Sequence, residues 1–113
     1  MSREELLPGT LHLLILKTLA RGEQMHGYEI ARSIQRVSQD VLQVEEGSLY
    51  PALQRMLVKG WVKAEWGVTD ENRRARYYRL TTGGKRRLRS EAERWNQMSA
   101  VIAGILQTTP EEV

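Results

Sequence analysis

Cysteine is absent from these 113 residues. Neither a disulfide framework nor a thiolate metal site can therefore hold the fold together. Only two histidines occur, His12 and His26, and neither has a ligand-like partner at metal spacing. The glycines compose no phosphate-binding loop. Ser48 has no histidine close in sequence and stands beside a proline-bearing helix turn, a context unlike a nucleophile elbow. No catalytic residue, metal or cofactor is expected. Long apolar runs are lacking too: the charged start Ser2-Arg3-Glu4-Glu5 precedes only a short one, which is neither a signal peptide nor a membrane span. A cytoplasmic protein suits these absences. The length allows one domain with a small core.

Acidic residues are missing from one window. Residues 73–89 hold Arg73, Arg74, Arg76, Arg79, Lys85, Arg86, Arg87 and Arg89 with no carboxylate among them. The rest of the chain has nine basic residues against fourteen acidic ones. The overall charge of +3 thus hides a basic segment on an otherwise acidic protein, a pattern that fits a polyanion docking at one region.

The chain is organised around Glu45–Thr81. Gly47–Gly60 reads as a helix whose apolar residues Leu49, Leu53, Met56 and Leu57 share one side. Gly47, Pro51, Gln54, Arg55 and Val58 take the other. Ser48 is a candidate cap, Pro51 fits in or next to the first turn, and Gly60 supplies the stop. Two strands follow. Val62, Ala64, Trp66 and Val68 alternate onto one face of the first, and Arg76, Tyr78 and Leu80 onto one face of the second, with Tyr77 and Arg79 opposite. The tip, Thr69–Arg73, lacks glycine, which predicts a turn longer than the tight two-residue type.

Upstream, Leu6-Leu7-Pro8-Gly9 reads as a lead-in and Thr10 as the cap of a helix over Leu11–Arg21, its stripe formed by Leu11, Leu14, Ile15, Thr18 and Leu19 and widened by Leu13 and Leu16. Arg21-Gly22 ends it. A second helix from about His26 to Val37 or Gln39 buries Ile30, Ala31, Ile34 and Val37, leaving Tyr28 off the stripe. Val41–Val44 either pairs loosely with the hairpin or covers the core. After Thr81-Thr82-Gly83-Gly84 a long helix runs to about Leu106. Leu88, Ala92, Trp95, Ser99, Ile102 and Leu106 form a heptad-like seam, and Met98, Val101 and Ile105 a second stripe. One projecting helix cannot bury both alone, so self-association is expected, with Leu11 of the first helix also assigned to the interface. The fold class is mainly α with a β-hairpin wing: a winged helix-turn-helix plus a long C-terminal helix.

Four stretches carry a family resemblance: Leu6-Leu7-Pro8-Gly9-Thr10, His26-Gly27-Tyr28-Glu29-Ile30, Glu46-Gly47-Ser48-Leu49-Tyr50-Pro51-Ala52-Leu53 and Arg76-Tyr77-Tyr78-Arg79-Leu80-Thr81. In this order, over about residues 6–106, the chain resembles the PadR family of bacterial transcriptional regulators, in its smaller subfamily with a single C-terminal dimerisation helix. The resemblance implies a DNA-binding domain over 6–81, a dimerisation helix over 82–108 and a homodimer, usually a repressor. It also implies release from DNA by a small aromatic or drug-like effector. It places Tyr28 and Tyr50 near DNA, Ser48, Pro51 and Gln54 on the exposed side of the recognition helix, and Arg73, Arg74 and Arg76 in the basic wing. Trp95 falls where some members line a ligand space between subunits, although interface packing explains it equally well.

The residues add physical roles. Gln54 can pair with an adenine edge, and Arg55 with guanine or a phosphate. Ser48 and the helix start can hold a phosphate, as can the two tyrosine hydroxyls and Lys63. Arg73 and Arg74 can follow the backbone or enter a minor groove. Arg76, closer to the sheet, could instead be occupied by a carboxylate of the other strand. The expected partner is double-stranded DNA carrying a pseudo-palindromic operator, with half-sites about one helical turn or a multiple apart. A second class also fits the fold: a protein-interaction module without sequence-specific DNA binding. Gln54 on the polar helix face and the basic wing favour the first.

Overall fold

A computed structural model describes residues 8–112. In chain order it contains α1 (Pro8–Leu19), β1 (Met25–His26), α2 (Gly27–Val37), α3 (Glu46–Val58), β2 (Val62–Val68), β3 (Arg74–Leu80) and α4 (Thr82–Leu106). The architecture is the winged helix-turn-helix that the residue pattern predicts.

Helix α1 runs through the middle of the body. Leu11, Ile15, Leu16 and Leu19 are buried, and the helix packs on α2, α3, α4 and β3. The helix ends at Leu19, earlier than the expected Arg21-Gly22 stop, in a turn where Ala20 N–H donates to the Lys17 carbonyl and Gly22 N–H to that of Leu19, both at 3.2 Å; Gly22, at φ +90°, takes the left-handed conformation just beyond it. Pro8, Gly9 and Thr10 are already helical, so Thr10 is not the cap of α1. The predicted lead-in residues Leu6 and Leu7 lie outside the described residues.

His26 links β1 to α2. Its Nδ1 accepts a bond from the Glu29 N–H (3.4 Å), and the Glu29 carboxylate accepts one from the His26 N–H (3.1 Å). This reciprocal capping box has histidine where serine or threonine is usual. Ile30 and Ile34 bury the helix stripe, but Val37 is 75% exposed. The helix ends there in a turn in which Gln39 and Asp40 take positive φ, supported by Asp40 N–H donating to the Gln35 carbonyl (2.9 Å). Val41–Val44 is no strand; Leu42 and Val44 pack half-buried against the core.

Helix α3 starts earlier than a Ser48 cap would allow. Glu45 is the N-cap, its carbonyl accepting from the N–H groups of Ser48 and Leu49 at 3.0 and 2.9 Å, which leaves Ser48 inside the first turn. Pro51 therefore lies one turn further in, and the Gly47 carbonyl it cannot serve sits on an exposed stretch where solvent can reach. Leu49, Leu53 and Met56 are buried as expected, joined by Ala52. At the C-terminal end Gly60 N–H donates to Leu57 and Trp61 N–H to Met56, both at 3.0 Å, with Gly60 at φ +76°. These two bonds make a Schellman stop.

The sheet order is β1-β3-β2, all antiparallel. The hairpin register pairs Val62 with Leu80, Ala64 with Tyr78 and Trp66 with Arg76. Residues 69–73 close it without glycine; Asn72 takes positive φ instead, and Thr69 and Arg73 bond across the turn (2.8 Å). The third strand is not legible in the sequence, because two residues carry no periodicity. It exists because Met25 and His26 lie alongside Tyr78 and Tyr77. The predicted apolar face of β2 is real only in its first half. Val62 is buried and Ala64 half-buried, but Trp66 and Val68 are exposed, because the hairpin projects past the helices.

Helix α4 begins at Thr82, so Gly83 and Gly84 are inside it. The Thr81 hydroxyl accepts from Gly84 N–H (3.0 Å) and donates to the Gly60 carbonyl, tying the helix start to the end of α3. Gly84 is buried, facing the Trp61 backbone so closely that a Cβ would collide with its carbonyl. Leu88 and Ala92 are half-buried. Beyond them the helix leaves the body, and Trp95, Met98, Val101, Ile102, Ile105 and Leu106 are all exposed. The molecule is accordingly elongated, 62 × 34 × 21 Å. Leu11, assigned to the partner interface from sequence, is instead core: α2, α3 and α4 pack around α1 and leave it 4% exposed, with almost no surface to offer.

Candidate nucleic-acid interface

An open groove of about 1510 Å³ separates the wing from α2 and the N-terminal half of α3. Tyr28, Tyr50, Gln54, Arg73, Arg74 and Arg76 all line it, although they come from elements well separated in the chain. Three causes bring them together. The capping box fixes where α2 starts and points Tyr28 outward, 62% exposed. Glycine at position 27 lets the Tyr50 ring lie against the α2 backbone, since a Cβ there would meet the Tyr50 hydroxyl oxygen at 2.7 Å. The hairpin register sets Arg74 and Arg76 on the same face as Tyr78.

Tyr78 is buried at the groove floor, and that burial raises its hydroxyl pKa above 10.0. The Arg76 charge works in the opposite direction, and Tyr50 adds to the rise. The Arg76 Nε is buried and has no hydrogen-bond partner among the described residues. Strand β2 carries one carboxylate that could occupy Arg76, Glu65, and strand alternation puts it on the opposite face. There it lies 3.8 Å from Arg79, an exposed pair of little energetic weight. Arg76 instead sits over the Trp66 ring, its Cζ 5.7 Å from the centroid, with Arg74 over the same ring at 4.5 Å.

Four sequence-derived candidates lie elsewhere. Ser48 and Pro51 are exposed on α3 without lining the groove. Lys63 is exposed on β2, paired in register with Arg79. Arg55 turns toward α1, where its Nε donates to His12 Nε2 (3.4 Å). His12 and Trp61 meet edge-to-face at 5.9 Å, with Lys59 and Arg87 over the indole at 5.2 and 4.8 Å. Burial, then the charges of Arg55, Lys59 and Arg87, lower the His12 pKa below 6.5. A neutral imidazole accepting from Arg55 fits that shift.

Trp66 and Arg32 also line the groove, although neither stands among the site residues picked from the sequence. Arg32 lies one helical turn beyond Tyr28 and reaches its ring, Cζ 5.7 Å from the centroid; the i, i+4 spacing is the available signal. The groove also contains Glu29, Asp40, Glu46, Asp70 and Glu71. It is not uniformly basic, so a polyanion would be held at the wing arginines and excluded near these carboxylates.

A helix-turn-helix with a basic wing and a polar recognition-helix face defines a class of DNA-reading regulator. Similarity to known proteins narrows that class. The pattern of the transcriptional regulator PadR-like family matches residues 15–90, and the chain belongs to that family. Among solved structures, a transcriptional regulator from Clostridium thermocellum superposes with a TM-score of 0.79 at 27% identity, covering 88% of this chain and 95% of the other. A PadR family regulator from Clostridium difficile gives 0.73 at 30% identity over 85% and 97%. A PadR-like regulator from Bacillus cereus gives 0.75 at 26% over 89% and 95%. The family is one of transcriptional regulators, not of enzymes.

Proposed function

We propose that this protein is a homodimeric transcriptional repressor that reads a pseudo-palindromic operator and is released by a small aromatic or drug-like ligand. Residues 6–81 bind DNA, residues 82–108 dimerise, and the protein works in the cytoplasm. The observation that supports this reading best is the convergence of Tyr28, Tyr50, Gln54, Arg73, Arg74 and Arg76 on one groove beside the recognition helix. In it, Gln54 reads a base edge with paired hydrogen bonds. The tyrosine hydroxyls, Ser48 and the α3 N-terminus hold phosphates. Arg73, Arg74 and Arg76 grip the backbone or an adjacent minor groove. Arg55 reaches DNA only by leaving His12.

The exposed stripes of α4 support dimerisation. Trp95, Met98, Ile102, Ile105 and Leu106 stand in water in the single chain, and pairing with a second α4 would bury them at about 25 cal/mol per Å² of apolar surface. Ser99 and the lower residues Leu88 and Ala92 continue the seam. Trp95 at that seam either packs the interface or borders a ligand space. A ligand there would alter the spacing of the two recognition helices and shift the population away from the DNA-fitting form.

The test is a salt titration of binding to the DNA upstream of the protein's own coding region, with a scrambled duplex in parallel. Preferential binding of one dimer per site is expected. Absence of binding to both duplexes at low salt would sink the proposal in favour of a protein-interaction module.

A further inference from the structure

Trp66 occupies an unusual place for a large aromatic residue. It is 60% exposed on the outer half of the wing, along the groove that α2 and α3 also line. Its neighbours are charged: the Arg74 and Arg76 guanidinium groups lie over its ring at 4.5 and 5.7 Å. The register puts Arg76 directly across from Trp66 and Arg74 diagonally across, on the same face. Behind it, Gly67 leaves room for the Tyr77 ring, whose hydroxyl donates to the Val68 carbonyl (3.3 Å). The strand that carries the indole is thereby braced from its other face.

A cation held by an aromatic face is attracted through its charge, and its N–H donors stay available. A carboxylate partner would consume those donors. The Arg76 Nε is itself buried and without an acceptor among the described residues, so phosphate contact falls to the outer Nη donors of the two arginines, which stand over the ring and not in an ion pair. We propose that Trp66 is the positioning residue of the wing, holding Arg74 and Arg76 over its indole so that their N–H groups meet phosphate oxygens in the groove. This rests on the DNA-binding reading above and adds to it how the wing is ordered. Arginine side chains carry high rotamer entropy, and fixing them before association lowers the cost of each contact.

The experiment is a double-mutant cycle on duplex affinity at fixed low salt, using the upstream DNA and the scrambled duplex. Trp66→Leu keeps every charge and should weaken binding to both duplexes about fivefold, as the absence of ring–cation attraction implies. In the Arg74→Ala/Arg76→Ala background the same substitution should cost nothing further. Trp66→Tyr, which keeps an aromatic face, should restore most of the affinity. Parental affinity for Trp66→Leu, or an equal loss in both backgrounds, would overturn the positioning role while leaving DNA binding intact. A parent protein that binds neither duplex would overturn both.

Discussion

Among the glycines, Gly84 is the one where an added Cβ would meet the nearest neighbour. It is the third residue of α4 and faces the Trp61 backbone. An added Cβ would collide with the Trp61 carbonyl oxygen and lie 3.0 Å from its carbonyl carbon and 3.1 Å from Leu80 Cδ2. That carbonyl cannot swing away freely, because it accepts the Thr81 N–H (3.1 Å). Thr81 in turn caps α4 and bonds Gly60. Overpacking a core by a methyl costs about 1–3 kcal/mol, and a backbone obstacle puts Gly84→Ala at the upper end. Replacing glycine by alanine in a helix returns about 1 kcal/mol. The net loss is then about 2 kcal/mol, or roughly 8–12 °C in melting temperature for a chain of this size.

Gly104, in the same helix, has nothing within 4 Å of an added Cβ among the described residues. Gly104→Ala should therefore raise the melting temperature by a few degrees, up to about 1 kcal/mol. Thermal unfolding followed by far-UV circular dichroism at equal protein concentration compares the two. A Gly84→Ala protein that melts with or above the parent would refute the reasoning. A loss at Gly104 would mean that another helix occupies the space beside it.

His12 predicts a pH effect. Its folded pKa lies below 6.5, so the unfolded chain binds more protons in the window beneath that value. Stability is fully present above 6.5 and falls as pH drops toward the folded pKa. Urea denaturation above and below the window should show this loss, and His12→Gln should flatten it. In DNA binding, Arg73→Ala with Arg74→Ala should weaken all duplexes and reduce the salt slope by about 0.9 for each phosphate no longer neutralised. Gln54→Ala should instead remove about 1–3 kcal/mol of discrimination between operator and scrambled DNA. If the two changes had the same effect, the division into grip and readout would be wrong. In the dimer proposed through α4, Ile102→Asp on its exposed stripe should shift sedimentation toward a monomer; an unchanged sedimentation coefficient would count against that pairing.

The residue order alone determined the helices, the hairpin and the basic wing, because each depends on local periods: steps of three and four for α1–α4, alternation for β2 and β3. It also determined that the turn at 69–73 is long, since no glycine is there to make a tight one. The family was legible in the spaced motifs. What local pattern could not carry is distance between segments. The strand Met25–His26 exists only through its pairing with β3. Leu11 and Val37 carry the same apolar label, yet one is core and the other is exposed, because burial depends on where neighbouring elements end. Only the tertiary structure turned Arg55 toward His12, sent Glu65 to the face away from Arg76, and left Trp66 to the arginines. Those choices follow from strand parity and from how far the wing projects beyond the body, which the packed chain sets as a whole.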